Sequence, residues 1–276
     1  MYSAIFARTY TSKDAREVLA SAAADGYAGV QFNLVCAGLA SLPETLPEGI
    51  AEEVAAQARK NGLRIAALSG TYNMAHPDPT VRMASRVGFA NVIEAARRMA
   101  APVVTLCTGS RNPVDMWKHH PDNSTAAAWS DFRAELDYAL ELAGSAGIKL
   151  GVEPEPGNVV GDAVAARRLL DEVRSKHLGV VLDAANLLSP ESLPRQRAIM
   201  QDAVSLLAES VFLAHAKDMD ASGEVVAAGE GVIDLRAFVA TLRDAGYDGA
   251  LIGHGFAAEK AANVAKFLSR LIETTP

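Results

Sequence analysis

The chain lacks the marks of several large protein classes. It has only two cysteines, Cys36 and Cys107, among 276 residues, which is too few for a disulfide framework and suits two free thiols in a reducing cytosol. No stretch reaches the ~20 apolar residues that a membrane-spanning helix needs. The N-terminal MYSAIFARTY also lacks the basic-then-apolar order of a signal peptide. We therefore expect a cytoplasmic protein with no membrane partner.

Positive charge and nucleotide-binding motifs are also scarce. Lys and Arg number 26 against 33 Asp and Glu, so the formal net charge is −7, and no basic run occurs. Such a chain is a poor candidate for non-specific nucleic-acid binding. The segment IFARTYTSK has no G-x-G-x-x-G turn, which argues against an open nucleotide-binding sheet. The chain also has no G-x-S-x-G, H-E-x-x-H or Walker motif, so nucleophilic serine or cysteine chemistry has little support.

Short apolar runs alternate eight times with longer Ala- and Leu-rich amphipathic stretches. The predicted strands are Tyr2–Phe6, Gly29–Asn33, Ile65–Ser69, Val103–Cys107, Lys149–Val152, Gly179–Leu182, Val211–Ala214 and Ala250–Gly253. The predicted helices run from a Thr11 or Ser12 cap to Gly26, from Pro47 to Gly62, and over 80–99, 126–146, 162–174, 193–208, 234–245 and 257–272. Most strands are apolar on both faces, as parallel strands between helices are. The pattern predicts an α/β protein with one (β/α)8 TIM barrel domain over 1–276.

Four of the apolar runs end on a residue that can bind a metal. They are LGVE, GVVLD, VFLAH and ALIGH, which end on Glu153, Asp183, His215 and His254. All strands of a parallel barrel open their carboxyl ends onto one face, so these side chains are expected to converge. Two carboxylates and two imidazoles predict a divalent-metal site that suits manganese, zinc, cobalt or iron better than magnesium. Each residue alone has a structural alternative; Asp183, for example, could cap the next turn.

Other polar residues lie near the same strand ends or in the longest loops, 34–46, 70–79 and 108–125. Lys217 could hold a substrate anion, polarise a carbonyl or pair with Asp218. Arg111 could bind a phosphate or carboxylate, and Trp117 could cover the pocket with its flat apolar face. The full set of candidates for substrate binding is Asn73, His76, Arg111, Trp117, His120, Asn158 and Asn186. Loop packing and solvation are the alternatives for the loop residues. Glu155, two residues after Glu153, is expected to be a surface or supporting group.

These strand ends resemble those of the xylose isomerase-like barrels. LGVEPEPGN, VVLDAANL and LAHAKD carry the resemblance, which covers essentially the whole chain, and TGSRNPVDMW with HPDN looks like a subgroup known only as sugar phosphate isomerase/epimerase. The family holds sugar and sugar-phosphate isomerases, ketose 3-epimerases, inosose dehydratases and the endonuclease IV group. The resemblance implies a small sugar or sugar-derived substrate. It also implies a homo-oligomer, because such barrels are often dimers or tetramers.

The resemblance further implies a metal-dependent isomerase or epimerase. In the family's epimerases, glutamates after the fifth and eighth strands bind the metal and move protons on opposite faces of a ketose. Glu153 matches the first, but His254 stands at the second position, and Asn186 replaces a histidine that contacts substrate. These departures argue against ordinary ketose 3-epimerisation. Glu153 is the predicted base, the bound metal stabilises the enediolate, and His254, Lys217 or His76 is the predicted acid.

Three other functions stay open. A metal-dependent dehydratase or lyase acting on a polyol or keto-acid, similar to inosose dehydratase, would abstract the same proton but expel a hydroxyl. An abasic-site nuclease fits less well, because those relatives gather more metal ligands and carry basic grooves. A non-catalytic sugar-binding barrel would keep the fold without turnover.

Overall fold

Eight parallel strands form a closed barrel in the computed structural model, which describes residues 1–275. The barrel strands are β1 (Tyr2–Phe6), β2 (Gly29–Phe32), β3 (Arg64–Ser69), β4 (Val103–Cys107), β5 (Lys149–Glu153), β6 (Leu178–Asp183), β7 (Val211–Ala216) and β8 (Ala250–Gly253). Each strand pairs with the next in sequence, and Tyr2 pairs with Ala250 where β8 meets β1. The predicted TIM barrel is confirmed.

A helix follows every barrel strand. The helices are α1 (Ala15–Ala24), α2 (Ile50–Lys60), α3 (Pro79–Met99), α4 (Ala126–Ala146), α5 (Ala163–Val173), α6 (Gln196–Leu207), α7 (Leu235–Asp244) and α8 (Ala261–Thr274). The stretch predicted as one helix over 193–208 is divided: a 3-10 segment, Pro190–Arg195, precedes α6. Pro194 has no N–H to donate, which explains why the regular helix starts only after it.

The predicted starts of α1 and α2 were wrong. Helix α1 is capped by Asp14, whose carboxylate accepts the N–H two residues further on, and not by Thr11 or Ser12. The Ser12 hydroxyl instead accepts the N–H of Asp14 at 3.1 Å, which holds the cap in place. Helix α2 starts after Gly49 and not at Pro47, because Gly49 adopts a left-handed conformation (φ 79°) that turns the chain into the helix.

The barrel interior is apolar at one end and polar at the other. A cluster of mostly small side chains fills the lower interior: Ala4, Ala66, Ala67, Val103, Val181, Leu213, Ala250 and Ile252. Side chains two residues apart on a strand share a face, so Asp183 follows Val181 and His215 follows Leu213 on the inner face. The strand alternation therefore carries the polar side chains to the carboxyl end of the barrel.

Three further observations complete the description of the fold. Cys36 and Cys107 are both buried free thiols, as predicted. Over residues 1–275, every helix is too short or too polar to cross a bilayer. A short antiparallel hairpin, Asp218–Met219 with Val225–Val226, follows β7 outside the barrel.

Candidate metal centre

Four possible metal ligands converge at the carboxyl end of the barrel. Glu153 and Asp183 end β5 and β6, His215 lies within β7, and His254 follows β8. One donor atom from each lies within 4.8 Å of the other three. His215 Nδ1 is 3.1 Å from Glu153 Oε1 and 3.9 Å from Asp183 Oδ2. His254 Nε2 is 3.2 Å from Asp183 Oδ2. The four strand ends thus supply one compact set of donors.

The spacing and tautomer chemistry of this set fit a divalent cation. Ligands about 2.1 Å from a metal lie about 3.0–3.4 Å apart in octahedral or tetrahedral geometry. The 3.1 Å and 3.2 Å separations fall in this range, and the 3.9 Å separation of His215 from Asp183 is wider. His215 Nε2 is 2.8 Å from Gln31 Oε1, and the Gln31 amide donates to Thr105 Oγ1 at 3.2 Å. A neutral imidazole that donates from Nε2 to Gln31 keeps its Nδ1 lone pair for the cluster. The contact with Gln31 therefore holds the His215 ring with Nδ1 facing the other three possible ligands.

Both carboxylates of the cluster are stabilised in their ionised form. Burial opposes ionisation of Asp183, but the charge of Lys217 and a hydrogen bond from His254 outweigh it and lower the pKa of Asp183. Burial likewise opposes ionisation of Glu153, and the charge of His215 outweighs it and lowers the pKa of Glu153. Negative charge at this point of the barrel favours a bound cation.

The two imidazoles differ in proton affinity. Burial disfavours the charged form of His215, but the charge of Glu153 outweighs it and raises the pKa of His215. Burial and then the charge of His215 lower the pKa of His254. The rings meet edge to face with centroids 4.6 Å apart. Because a ligating imidazole must give up its proton, a cation entering the cluster competes with the proton on His215.

Lys217 and Asn186 link the carboxylates of Asp183 and Glu153 through one ion pair and two hydrogen bonds. Lys217 Nζ lies 3.2 Å from Asp183 Oδ2 and donates to Asn186 Oδ1 at 2.6 Å. The amide of Asn186 donates to Glu153 Oε1 at 3.1 Å. The alternative pairing of Lys217 with Asp218 was wrong, because the Asp218 carboxylate accepts four backbone N–H groups around the hairpin. Lys217 and Asn186 are thus engaged with the cluster itself.

Glu153, His215 and His254 line a pocket of about 260 Å³. Neutral polar side chains line it from the β2, β3 and β4 side: Asn33, Ser41, Ser69, Thr71 and Thr105. Two charged members, Arg8 and Glu155, were not assigned a pocket role from the sequence. Burial and then the charge of Glu153 raise the pKa of Glu155 to about 7. The pocket joins the metal-ligand cluster to groups that can bind hydroxyls.

The loop over 108–125 brings Trp117 and Met116 to this pocket, and a role for Trp117 in substrate binding stays a prediction. Asn158 holds the loop: its Oδ1 accepts the Gly109 N–H at 2.7 Å, and its Nδ2 donates to the Met116 carbonyl at 3.0 Å. The backbones pack so closely that a Cβ on Gly157 would lie 2.1 Å from the Trp117 carbonyl oxygen. Asn158 therefore contacts loop backbone through both ends of its amide.

Asn73 and Asn123 fasten the same loop from two other sides. Asn73 accepts the Ser110 N–H at 3.0 Å and donates to the Ser110 carbonyl at 2.9 Å. Asn123 accepts the Arg111 N–H at 2.7 Å and donates to the Gly157 carbonyl at 2.8 Å. Together with Asn158 they form what we call the asparagine clamp. The clamp fixes the course of the loop backbone. Asn73, like Asn158, therefore has its amide engaged with backbone groups.

The remaining predicted binding residues lie along the loops. The Arg111 guanidinium is buried and pairs with Asp131 Oδ2 at 2.7 Å. His76 Nε2 is 3.3 Å from a loop carbonyl, and His120 Nδ1 accepts the Asp122 N–H at 3.2 Å. These contacts hold the loops together and leave the three side chains separate from the cluster of metal ligands.

A closed (β/α)8 barrel with four possible metal ligands at the carboxyl ends of β5 to β8 agrees with what the sequence resemblance to xylose isomerase-like proteins implies. The chain belongs to this family: the family profile described as xylose isomerase-like TIM barrel matches residues 19–271. Among curated proteins, none matches the chain.

Several solved structures share the fold at low sequence identity. A D-tagatose 3-epimerase-like protein is 17% identical with a TM-score of 0.76, over 100% of this chain and 98% of its own. Mannonate dehydratase from Streptococcus suis is 17% identical with a TM-score of 0.74, over 100% and 93%. The IOLI protein, solved with a zinc atom, is 17% identical with a TM-score of 0.71, over 100% and 99%. At this identity the likeness establishes the fold, and the neighbours' names include both epimerase and dehydratase activities.

Proposed function

We propose that the chain is a metal-dependent enzyme that isomerises or epimerises a small sugar or sugar-derived substrate. The observation that carries the proposal is the convergence of Glu153, Asp183, His215 and His254 beside a pocket lined with hydroxyl and amide groups. Epimerases among the structural neighbours support the same class of reaction. The proposed substrate carries a carbonyl next to a hydroxyl-bearing carbon.

The four-ligand set would hold one divalent cation. When bound, the cation supplies positive charge that stabilises an oxyanion developing on the substrate. Two imidazole nitrogens favour manganese, zinc, cobalt or iron over magnesium, which prefers oxygen ligands. The zinc atom in the IOLI protein is consistent with this preference.

Glu153 is the proposed base. Its carboxylate faces the pocket, stays ionised, and is oriented by the 3.1 Å hydrogen bond from Asn186. It would take the proton from the carbon next to the substrate carbonyl. His254, which faces the same pocket from β8, is the proposed donor of the returning proton, with Lys217 as the alternative. The neutral polar side chains of the β2 to β4 side would hold the substrate hydroxyls.

A dehydratase is the second candidate function. The imidazole of His254 stands where epimerases of the family carry a glutamate, and an imidazolium can protonate a departing hydroxyl. The mannonate dehydratase neighbour has the same fold. Mass spectrometry of products separates the two reactions, because dehydration lowers the substrate mass by one water and isomerisation leaves it unchanged.

Elemental analysis of the purified protein tests the metal site. We expect near-stoichiometric divalent metal in the wild type and none in the double variant Asp183→Asn/His215→Ala. The matched control, Asp122→Asn/His119→Ala, changes the same residue types on the exposed loop and should keep its metal. Metal-free wild type after reconstitution with manganese, zinc and cobalt would refute the proposal and favour a non-catalytic barrel.

The role of Glu153 has a separate test. Glu153→Gln keeps the shape and one oxygen donor but removes the base, so we expect turnover to fall by at least about 10²-fold. Turnover is measured on metal-reconstituted protein with a panel of ketoses, inososes and keto-acids, and metal content is measured in parallel. Full turnover in a metal-loaded Glu153→Gln variant would exclude Glu153 as the base.

A further inference from the structure

Arg111, Lys217 and Arg8 are cationic side chains that could bind an anionic group of a ligand, and the first two are already paired. Arg111 is buried against Asp131, and Lys217 is bound to Asp183 and Asn186. Arg8 differs from both: it is exposed, lines the pocket, and within residues 1–275 its guanidinium makes no ion pair or side-chain hydrogen bond. The five N–H donors of the Arg8 guanidinium are thus available at the pocket wall to bind a ligand.

Barrel topology places Arg8 across the pocket from the proposed base. Arg8 follows β1 directly, whereas Glu153 ends β5, and strands one and five of an eight-stranded barrel stand opposite each other. The hydroxyl and amide groups from β2 to β4 line the wall between them. A polyhydroxy chain whose carbonyl end lies at the metal ligands would extend past these groups towards Arg8.

The charge balance of the pocket points the same way. A divalent cation would neutralise Glu153 and Asp183, and Lys217 offsets Glu155. Arg8 then leaves the loaded pocket with surplus positive charge, whether Glu155 is ionised or not. A neutral sugar would leave that charge without a partner, whereas a singly or doubly charged anion would complement it.

We infer that the substrate carries an anionic group, a carboxylate or a phosphate, at the end remote from the reacting carbonyl, and that Arg8 binds it. The inference rests on the proposed function, since it assumes that the carbonyl end occupies the metal site. A guanidinium fork pairs with two oxygens of either anion, so the geometry of Arg8 serves both chemistries. Arg8 is thereby a specificity-determining residue.

The test compares three ketoses that share carbons 1 to 5: D-fructose, D-fructose 6-phosphate and D-fructuronate. Their dissociation constants are measured by calorimetry on manganese-loaded protein freed of excess metal. At least one anion should bind about tenfold or more tightly than fructose. Preference for the phosphate or for the carboxylate identifies the anionic group. Equal affinity for all three, or no measurable binding of either anion, would overturn the inference.

Two variants assign the preference to Arg8. In Arg8→Gln the ratio of anionic to neutral affinity should fall to about one to threefold, and Arg8→Lys should restore part of it. The control is Arg16→Gln, an exposed arginine paired with Glu53 away from the pocket, which should keep the wild-type ratio. An unchanged ratio in Arg8→Gln would refute the inference while leaving the metal site intact. If the wild-type protein does not bind manganese, the result would instead refute the proposed function on which the inference rests.

Discussion

Replacing Gln31 by leucine should weaken metal binding without removing a ligand. The Gln31 carbonyl lies 2.8 Å from His215 Nε2, and both side chains are almost fully buried, at 3% and 2% exposure. Water therefore has little access to take the place of the lost acceptor. The imidazole would keep an unpaired buried N–H, or move its proton to Nδ1, the nitrogen that faces the metal cluster.

The magnitude follows from the closeness and burial of this contact. Groups that orient a ligating histidine typically contribute about 10–100-fold in metal affinity, or about 1.4–2.7 kcal/mol. An unpaired buried donor also lowers the free energy of unfolding by about 1–3 kcal/mol in the metal-free protein. Glutamate at the same position keeps an acceptor and adds charge. Gln31→Glu should therefore bind metal at least as tightly as the wild type.

Zinc affinity is measured by competition with a chromophoric chelator, and unfolding by urea with circular dichroism. Gln57→Leu on helix α2, which lies outside the pocket, is the matched control and should change neither affinity nor folding. Wild-type zinc affinity in a folded Gln31→Leu protein would refute the orienting role. Equal weakening in Gln31→Glu and Gln31→Leu would also refute it, because an acceptor would then make no difference.

Three further predictions concern packing and thiol chemistry. Gly157→Ala should lower the free energy of urea unfolding by about 1–3 kcal/mol, because its Cβ would meet the Trp117 carbonyl 2.1 Å away. Gly144→Ala should raise it by about 0.5–1 kcal/mol, because this glycine of helix α4 has space for a methyl, with the nearest atom 3.8 Å away; the opposite signs would contradict the packing. Cys36 and Cys107 should react slowly with a disulfide reagent at pH 8, since burial raises the pKa of Cys36 to about 11 and that of Cys107 well above its ordinary value. Both thiols should titrate in guanidinium, and rapid reaction of both in native protein would contradict their burial.

The barrel and its ligand cluster could be predicted because both follow from local pattern. Eight apolar runs separated by amphipathic stretches admit few folds, and a polar residue that ends a buried strand has few places to lie. The parallel register pairs Asp183 with His215 directly, so neighbouring strands bring their terminal residues to the same height. Convergence of these side chains is a consequence of the strand order.

The loop residues were harder to predict because their partners depend on the path of the chain. Asn73 and Asn158 are polar and close to strand ends, as substrate-binding residues are, but the backbone that they contact lies tens of residues away in sequence. Gln31 gave one signal, a polar residue within the apolar strand GVQF, yet its partner His215 is 184 positions away. Arg8 was missed because a lone surface arginine has no distinctive spacing.

The asparagine clamp has a consequence for how this protein can change over generations. Its amides contact backbone N–H and C=O groups, which do not depend on the side chain at the contacted position. Gly109 and Gly157 are the exceptions, because a Cβ on either would lie 2.0 Å from Asn73 Oδ1 or 2.1 Å from the Trp117 carbonyl oxygen. The loop side chains that line the pocket, such as Trp117 at 53% exposure, make no part of the clamp. Mutations at these positions can therefore alter which molecules the pocket admits while the loop keeps its shape. The loop is a natural place to randomise residues when a new substrate range is sought.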